Sequence, residues 1–325
     1  MCAGFGIGQL YISAIDTGLR WYDGEDRDNE TNFGTRTLVP GHLMNAVRIF
    51  LLAIGLASWL GAAAGRAGAL VEFPSLSEQA PTKLLGYLAR PDTGLSGMLG
   101  GPSNRAGPFP AVVVLHGCSG VSSHSAEIAD QLGSWGYVAL TVDSLGPRGI
   151  DSRCGGGWFP EQAFDAYAAL RYLSQLDFVD PARVAVLGQS MGGASVLYAV
   201  DHDLVAQYFE ERFRAAIAYY PGCRIPAASM TAPTLVLIGE VDDWNSAERC
   251  REMVAHSRPD GATITLTVYP GAYHAFDVAQ LKPGIRSLGH WLEYDEPAAK
   301  DAEQKVRAFL AANLGGGSPD EPAEK

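Results

Sequence analysis

Val184-Ala-Val-Leu-Gly188-Gln189-Ser190-Met191-Gly192-Gly193 runs directly into Ala194-Ser-Val-Leu-Tyr-Ala-Val200. The opening apolar run reads as a strand buried on both faces, and the Ala-rich run after the glycines reads as a helix. Between them stands Gly-x-Ser-x-Gly. A chain that passes from strand to helix in so few residues must turn tightly, and side chains at the two glycine positions would collide there. The turn lifts the Ser190 hydroxyl clear of the sheet. It also sets Ser190 at a helix N-terminus, where backbone N–H groups and the helix dipole favour a developing negative charge.

On either side of this turn, from residue 84 onward, β-rich apolar runs alternate with helical patterns, the signature of a mostly parallel α/β sheet covered on both faces. Strands are expected at Leu84 to Arg90, Ala111 to Leu115, Tyr137 to Val142, Val184 to Leu187, Ala215 to Tyr219, Thr234 to Ile238 and Ile264 to Tyr269. All are read as runs without polar alternation, as for strands buried on both faces. Helices are expected at Ser123 to Trp135, Glu161 to Gln175, Met191 to Val200, Ser246 to Ser257 and Ala298 to Ala312. Phe164, Ala168 and Tyr172 put an apolar stripe on one face of the second of these. Gly94 to Pro110 reads as a loop, and Gly315 to Lys325 as a disordered tail.

A serine hydroxyl is a weak nucleophile at neutral pH, so a histidine must take its proton and a carboxylate must orient that histidine. Two loops at strand C-terminal ends supply them: Gly239-Glu240-Val241-Asp242-Asp243-Trp244 and Pro270-Gly271-Ala272-Tyr273-His274-Ala275-Phe276. Of the seven histidines, His274 alone has both the chain order serine, acid, histidine and the right loop. Asp242 is preferred to Asp243 as the acid. An oxyanion also needs donors, and the expected pair is the Met191 amide and the Cys118 amide, the latter in Leu115-His116-Gly117-Cys118-Ser119-Gly120. His116 is read as a packed structural residue.

The chain has 325 residues, 47% hydrophobic and 18% charged, enough to bury one large core. A net charge of −12 without any Lys/Arg-rich run argues against nucleic acid and anionic membranes as partners. Between Arg48 and Arg66 the sequence is uncharged, with Met44-Asn-Ala-Val-Arg48 before it and Ala67-Gly-Ala69 after it. That is the layout of a secretory signal peptide over residues 44–69, cut after Ala69, with an apolar part too short for a stable membrane span. Residues 1–43 are then a mis-assigned leader, translation starts at Met44, residues 70–312 form the folded domain, and the product is secreted or periplasmic. Removing Cys2 leaves Cys118, Cys154, Cys223 and Cys250, an even set for which disulfides are expected and three connectivities are open. No HExxH, CxxC or phosphate-loop motif is present, so neither metal nor organic cofactor is expected.

Together with Val142-Asp-Ser-Leu-Gly-Pro-Arg148-Gly149, these motifs resemble the dienelactone hydrolase family over about residues 75 to 312. The resemblance implies an α/β-hydrolase fold: an eight-stranded, mostly parallel sheet with helices on both faces and no large lid domain. Dienelactone hydrolases proper carry a cysteine nucleophile where this chain has Ser190. That departure implies a serine esterase acting on a small-molecule carboxylic ester or lactone through an acyl-enzyme. A small-peptide serine peptidase and an idle binding protein of the same fold are the rival readings. Arg148, Trp158 and Trp244 are candidates for substrate contact, with Arg153 and Phe159 nearby. Oligomeric state is not legible.

Overall fold

A computed structural model of the chain describes residues 68–78, 80–91, 107–156 and 159–315. The expected leader, nearly all of the signal peptide, most of the Gly/Pro-rich loop, Trp158 and all but Gly315 of the expected tail lie outside the described residues.

Eight strands form one sheet: β1 (Ala69–Pro74), β2 (Lys83–Ala89), β3 (Phe109–Leu115), β4 (Val138–Asp143), β5 (Val179–Gln189), β6 (Ala215–Tyr219), β7 (Thr234–Gly239) and β8 (Ile264–Tyr269). Their spatial order is β1-β2-β4-β3-β5-β6-β7-β8. β1 and β2 pair antiparallel, as do β2 and β4, and every other pair is parallel. The helices are α1 (Ser123–Ser134), α2 (Glu161–Ser174), α3 (Met191–Val200), α4 (Ala247–Ala255) and α5 (Glu296–Leu314). This is the expected α/β architecture.

Every residue of β4, β6 and β7 is buried, which is why these segments carry Val, Leu, Ile and Ala at consecutive positions. β8 departs from expectation. Its sequence Ile-Thr-Leu-Thr-Val-Tyr alternates and only Tyr269 is fully buried, because β8 is a sheet edge with one face partly open. Local signals set the helix ends. Ser122 and Ser125 form a capping box ahead of α1, and the Asp295 carboxylate accepts the Ala298 amide ahead of α5.

Strand order reverses around β3, whose neighbours are β4 on one side and β5 on the other. Loops leaving β3 and β5 therefore diverge, and a crevice opens at the C-terminal ends of the strands. Two disulfides brace that end: Cys118–Cys154 ties the loop after β3 to the loop after β4, and Cys223–Cys250 ties the loop after β6 to α4.

Arg148, expected near substrate, serves the fold instead. Its guanidinium grips both oxygens of Asp165 at 2.7 and 2.9 Å and donates to the Ser144 carbonyl at 2.7 Å. The side chains are 6% and 0% exposed. Breaking one partner of such a pair strands a buried charge, at a cost of about 3–5 kcal/mol. Asp165→Ala is expected to lose stability on that scale by chemical denaturation, and Asp165→Leu combined with Arg148→Met to regain most of it.

Candidate active site

β5 enters α3 through Ser190, whose φ of 54° and ψ of −112° lie outside the helical and extended regions. The tightness of the turn is measurable at its glycines. A Cβ on Gly188 would lie 2.3 Å from the Gly192 carbonyl oxygen, and one on Gly192 would lie 2.3 Å from the Leu115 carbonyl oxygen. The second contact sets the turn hard against the end of β3.

Asp242 follows β7 and His274 follows β8, and both are buried. Asp242 Oδ1 accepts the amides of Trp244 at 2.9 Å and Asn245 at 2.8 Å, which leaves Oδ2 for His274 Nδ1 at 2.8 Å. A carboxylate only accepts, so Nδ1 carries the proton and Nε2 is left bare, 3.0 Å from Ser190 Oγ. Asp243 points the other way. Its Oδ1 accepts the Trp291 amide at 3.0 Å and its carbonyl faces His290 Nδ1 at 2.9 Å.

Across from His274 runs the loop after β3. The Ser144 amide donates to His116 Nε2 at 3.1 Å, so the ring proton sits on Nδ1 and is donated to the Gly117 carbonyl at 2.7 Å. Complete burial pushes the His116 pKa down and keeps the ring neutral. A peptide is planar, with C=O and N–H on opposite sides, so this bond also turns the Cys118 N–H away from His116. Gly117 lies against the nucleophile, a Cβ there falling 3.8 Å from Ser190 Cβ. The Met191 amide, first of α3, has no intrahelical acceptor.

Gly117, Cys118, Ser190 and His274 border a cleft of about 240 Å³ with Tyr220, Trp244, Val278, Leu281 and Leu292 on its apolar side. Of the residues expected from sequence, Ser190, His274 and Asp242 form one hydrogen-bonded line, Met191 follows Ser190 as the first residue of α3, and Cys118 and Trp244 line the cleft. Phe159 is buried beneath the Arg153 guanidinium, 5.0 Å away, rather than at the mouth. Among the described residues no group of three or more His, Cys, Asp or Glu side chains could hold a metal ion.

Three features escaped sequence reading. Strands β9 (Ile285–Ser287) and β10 (His290–Leu292) form a hairpin between β8 and α5, closed by Leu288 and Gly289 with φ of 50° and 91°. Ser-Leu-Gly-His was its sequence signal, a two-residue turn that needs positive φ twice. Strain is concentrated here as well. Ser190, Tyr220 and Ala275 have positive φ without being glycine, and all three line the cleft. Tyr220 packs its ring on His274 with centroids 4.6 Å apart.

The third feature is a buried network behind the nucleophile. Asp277 accepts from Gln189 Nε2 at 2.9 Å and the Tyr220 hydroxyl at 2.8 Å, and lies 3.2 Å from His124 Nε2. Burial lowers the His124 pKa, but the carboxylates of Asp277 and Glu127 outweigh it and the net shift is upward. Burial likewise opposes ionisation of Asp277, yet the His124 charge and the hydrogen bonds hold it below the usual carboxylate range. The His124 contribution to stability is therefore complete below the ordinary imidazole value of 6.5 and is lost as pH rises through the raised one. The Asp277 contribution is present above the ordinary carboxylate value and is lost as pH falls through the depressed one. His124→Gln is accordingly expected to lower Tm more at pH 6 than at pH 9, as read by thermal denaturation at both.

Known proteins are similar to this chain in sequence and in fold. The family model described as the dienelactone hydrolase family matches residues 95–314. A Bradyrhizobium protein named "Probable 2-oxo-3-(5-oxofuran-2-ylidene)propanoate lactonase" is 26% identical over 213 residues, covering 59% of this chain and 78% of its own. Thermogutta terrifontis esterase 2 shares the fold at a TM-score of 0.58 and 17% identity, over 78% of this chain and 97% of its own. A dienelactone hydrolase-like promiscuous phosphotriesterase from metagenomic libraries does so at 0.59 and 20%, over 77% and 100%. With a family model spanning most of its length, the chain belongs to the dienelactone hydrolase family of the α/β-hydrolase superfamily and is a hydrolase acting on ester or lactone bonds.

Proposed function

We propose that the chain is a serine hydrolase that opens carboxylic ester bonds, lactones included, through Ser190, His274 and Asp242. The observation that carries this is the line from Ser190 Oγ to His274 Nε2 at 3.0 Å and from His274 Nδ1 to Asp242 Oδ2 at 2.8 Å. His274 takes the proton as Ser190 Oγ attacks the carbonyl carbon. The negative charge that develops on the carbonyl oxygen is met by the amides of Met191 and Cys118. Protonated His274 then gives its proton to the leaving alcohol, and water repeats the sequence on the acyl-enzyme. Asp242, its charge held by two backbone amides, keeps the histidine tautomer and stabilises the imidazolium without taking the proton. Trp244 is the aromatic wall against which the substrate packs.

Export through the signal peptide belongs to the same proposal. It is supported by the two disulfides, which persist in oxidising compartments. A cut after Ala69 leaves Leu70 to Pro74 paired with β2. Mass determination of the exported product should give Leu70 as its first residue.

Short p-nitrophenyl esters are the test substrates. Wild type should turn them over, Ser190→Ala should lose several orders of magnitude in kcat, and Asp242→Asn about 10⁴-fold. Asp243→Asn should stay within a few-fold, because its carboxylate holds the hairpin rather than His274. Folded wild type without ester or lactone turnover would bring forward the binding-protein reading, and preferential turnover of peptide anilides the peptidase reading.

A further inference from the structure

We propose that the Cys118–Cys154 disulfide positions the oxyanion hole, so that the hydrolase is fully competent only in its oxidised form. The inference rests on the serine hydrolase reading, in which the Cys118 amide meets the oxyanion.

Two peptide planes flank Cys118, and each is held from a different side. The plane ahead of it is held at one atom, the Gly117 carbonyl oxygen, which accepts from the Gly120 amide at 3.2 Å and from His116, a fully buried ring anchored in turn by the Ser144 amide. The plane after it is held by the Arg153 amide, which donates to the Cys118 carbonyl at 2.8 Å. Arg153 stands beside Cys154, so the backbone bond and the disulfide reach Cys118 from the same short loop.

Among the described residues, that loop has little else to hold it. Asp151, Ser152, Gly155 and Gly156 are exposed. The other backbone bonds of this turn are local: the Cys154 amide to Ser152 Oγ at 3.1 Å and the Gly156 amide to the Arg153 carbonyl at 3.1 Å. Arg153 over Phe159 is its one ring contact among the described residues. With the disulfide opened, the turn and its grip on the Cys118 carbonyl are free to move, and the plane that carries the Cys118 N–H is left hanging from its Gly117 carbonyl oxygen alone, about which it can pivot. An amide that wanders by a fraction of an ångström no longer meets the transition-state oxygen, although the ground-state substrate still fits the cleft.

The second disulfide is a built-in control. Cys223 and Cys250 are 5% and 0% exposed and do not border the cleft, whereas Cys118 and Cys154 both line it and are partly open to solvent. The loops closed are similar, 36 residues for Cys118–Cys154 and 27 for Cys223–Cys250, so the unfolded chain is constrained to a similar degree by each. A dithiol reductant supplies the two electrons and two protons. Its thiolate attacks one cleft sulfur, the mixed disulfide resolves, and Cys118 and Cys154 are left as thiols with the reductant as a cyclic disulfide.

The experiment measures kcat, KM, the pH profile of kcat/KM and affinity for a trifluoromethyl ketone, on wild type, Cys154→Ser and Cys250→Ser, at a temperature where each is folded. Cys154→Ser is expected to lose roughly ten- to a hundred-fold in kcat, part of what deleting an oxyanion donor costs. KM and the pH midpoint should move little, and ketone affinity should fall with kcat/KM. Cys250→Ser should lose Tm and keep kcat. A Cys154→Ser enzyme within two-fold of wild-type kcat overturns the proposal, as does an equal fall in both variants. Should Cys154→Ser not fold, graded reduction of wild type with dithiothreitol, followed by alkylation and mass analysis of Cys118 and Cys154, replaces it. Activity must then track the oxidised fraction and return on reoxidation, and activity that survives full opening of this bond overturns the proposal. Oxidised wild type without any ester turnover removes the hydrolase reading itself, a result distinct from an active wild type indifferent to this bond.

Discussion

The structure turns on a near-collision of backbones. Gly192, in the first turn of α3, sits so close to the Leu115 carbonyl at the end of β3 that a single carbon would not fit between them. That approach occurs where strand order reverses, so two loops that would otherwise part company are pinned together at their roots. One presents Ser190, the other the Gly117–Cys118 peptide. The remainder of the fold can be seen as the means of keeping that approach in register: fully buried central strands, a helix on each flank, and an Arg148–Asp165 pair locking the loop after β4 to α2.

Charge is handled in the site by amides more than by side chains. Asp242 accepts two backbone N–H groups on one oxygen and keeps the other for His274. His116 uses both nitrogens on backbone groups and contributes geometry without charge. A side-chain ion pair near the site, His124 with Asp277, lies behind Gln189 and joins the elbow, the His274 loop and the Tyr220 turn through a single carboxylate.

Features legible in the sequence were those whose cause is local. The strand-turn-helix at Ser190 announces itself because glycine is demanded twice within five residues, and the buried strands announce themselves by unbroken apolar runs. The divergence of Asp242 from Asp243 followed from neighbouring side chains pointing different ways. Partner choice was not legible, because it is made by packing. Nothing near Asp277 names His124, 153 residues away, and nothing in Arg148 tells whether it meets a ligand or Asp165. β5 begins at Val179 and runs through the polar Asp180-Pro181, and β1 starts at Ala69, the last residue of what reads as a signal peptide, so neither boundary stood out as a strand start. The same limit left the cysteine connectivity open, which the fold resolves as Cys118 with Cys154 and Cys223 with Cys250.

The hairpin of β9 and β10 is fastened to the machinery it overlooks. Asp243 holds its Trp291 amide, Trp244 stacks on its His290 at 4.7 Å, and Leu292 bridges to His274 itself. Ser287 and Leu292 meanwhile form part of the cleft wall. Selectivity and basicity are thus wired through the same few atoms: a change that reshapes the wall also tugs on the residues beside Asp242 and on the histidine. Such a site resists piecemeal retuning. New substrate preferences reached through this hairpin would arrive together with altered proton transfer, and improvement along one axis would have to be repaired along the other.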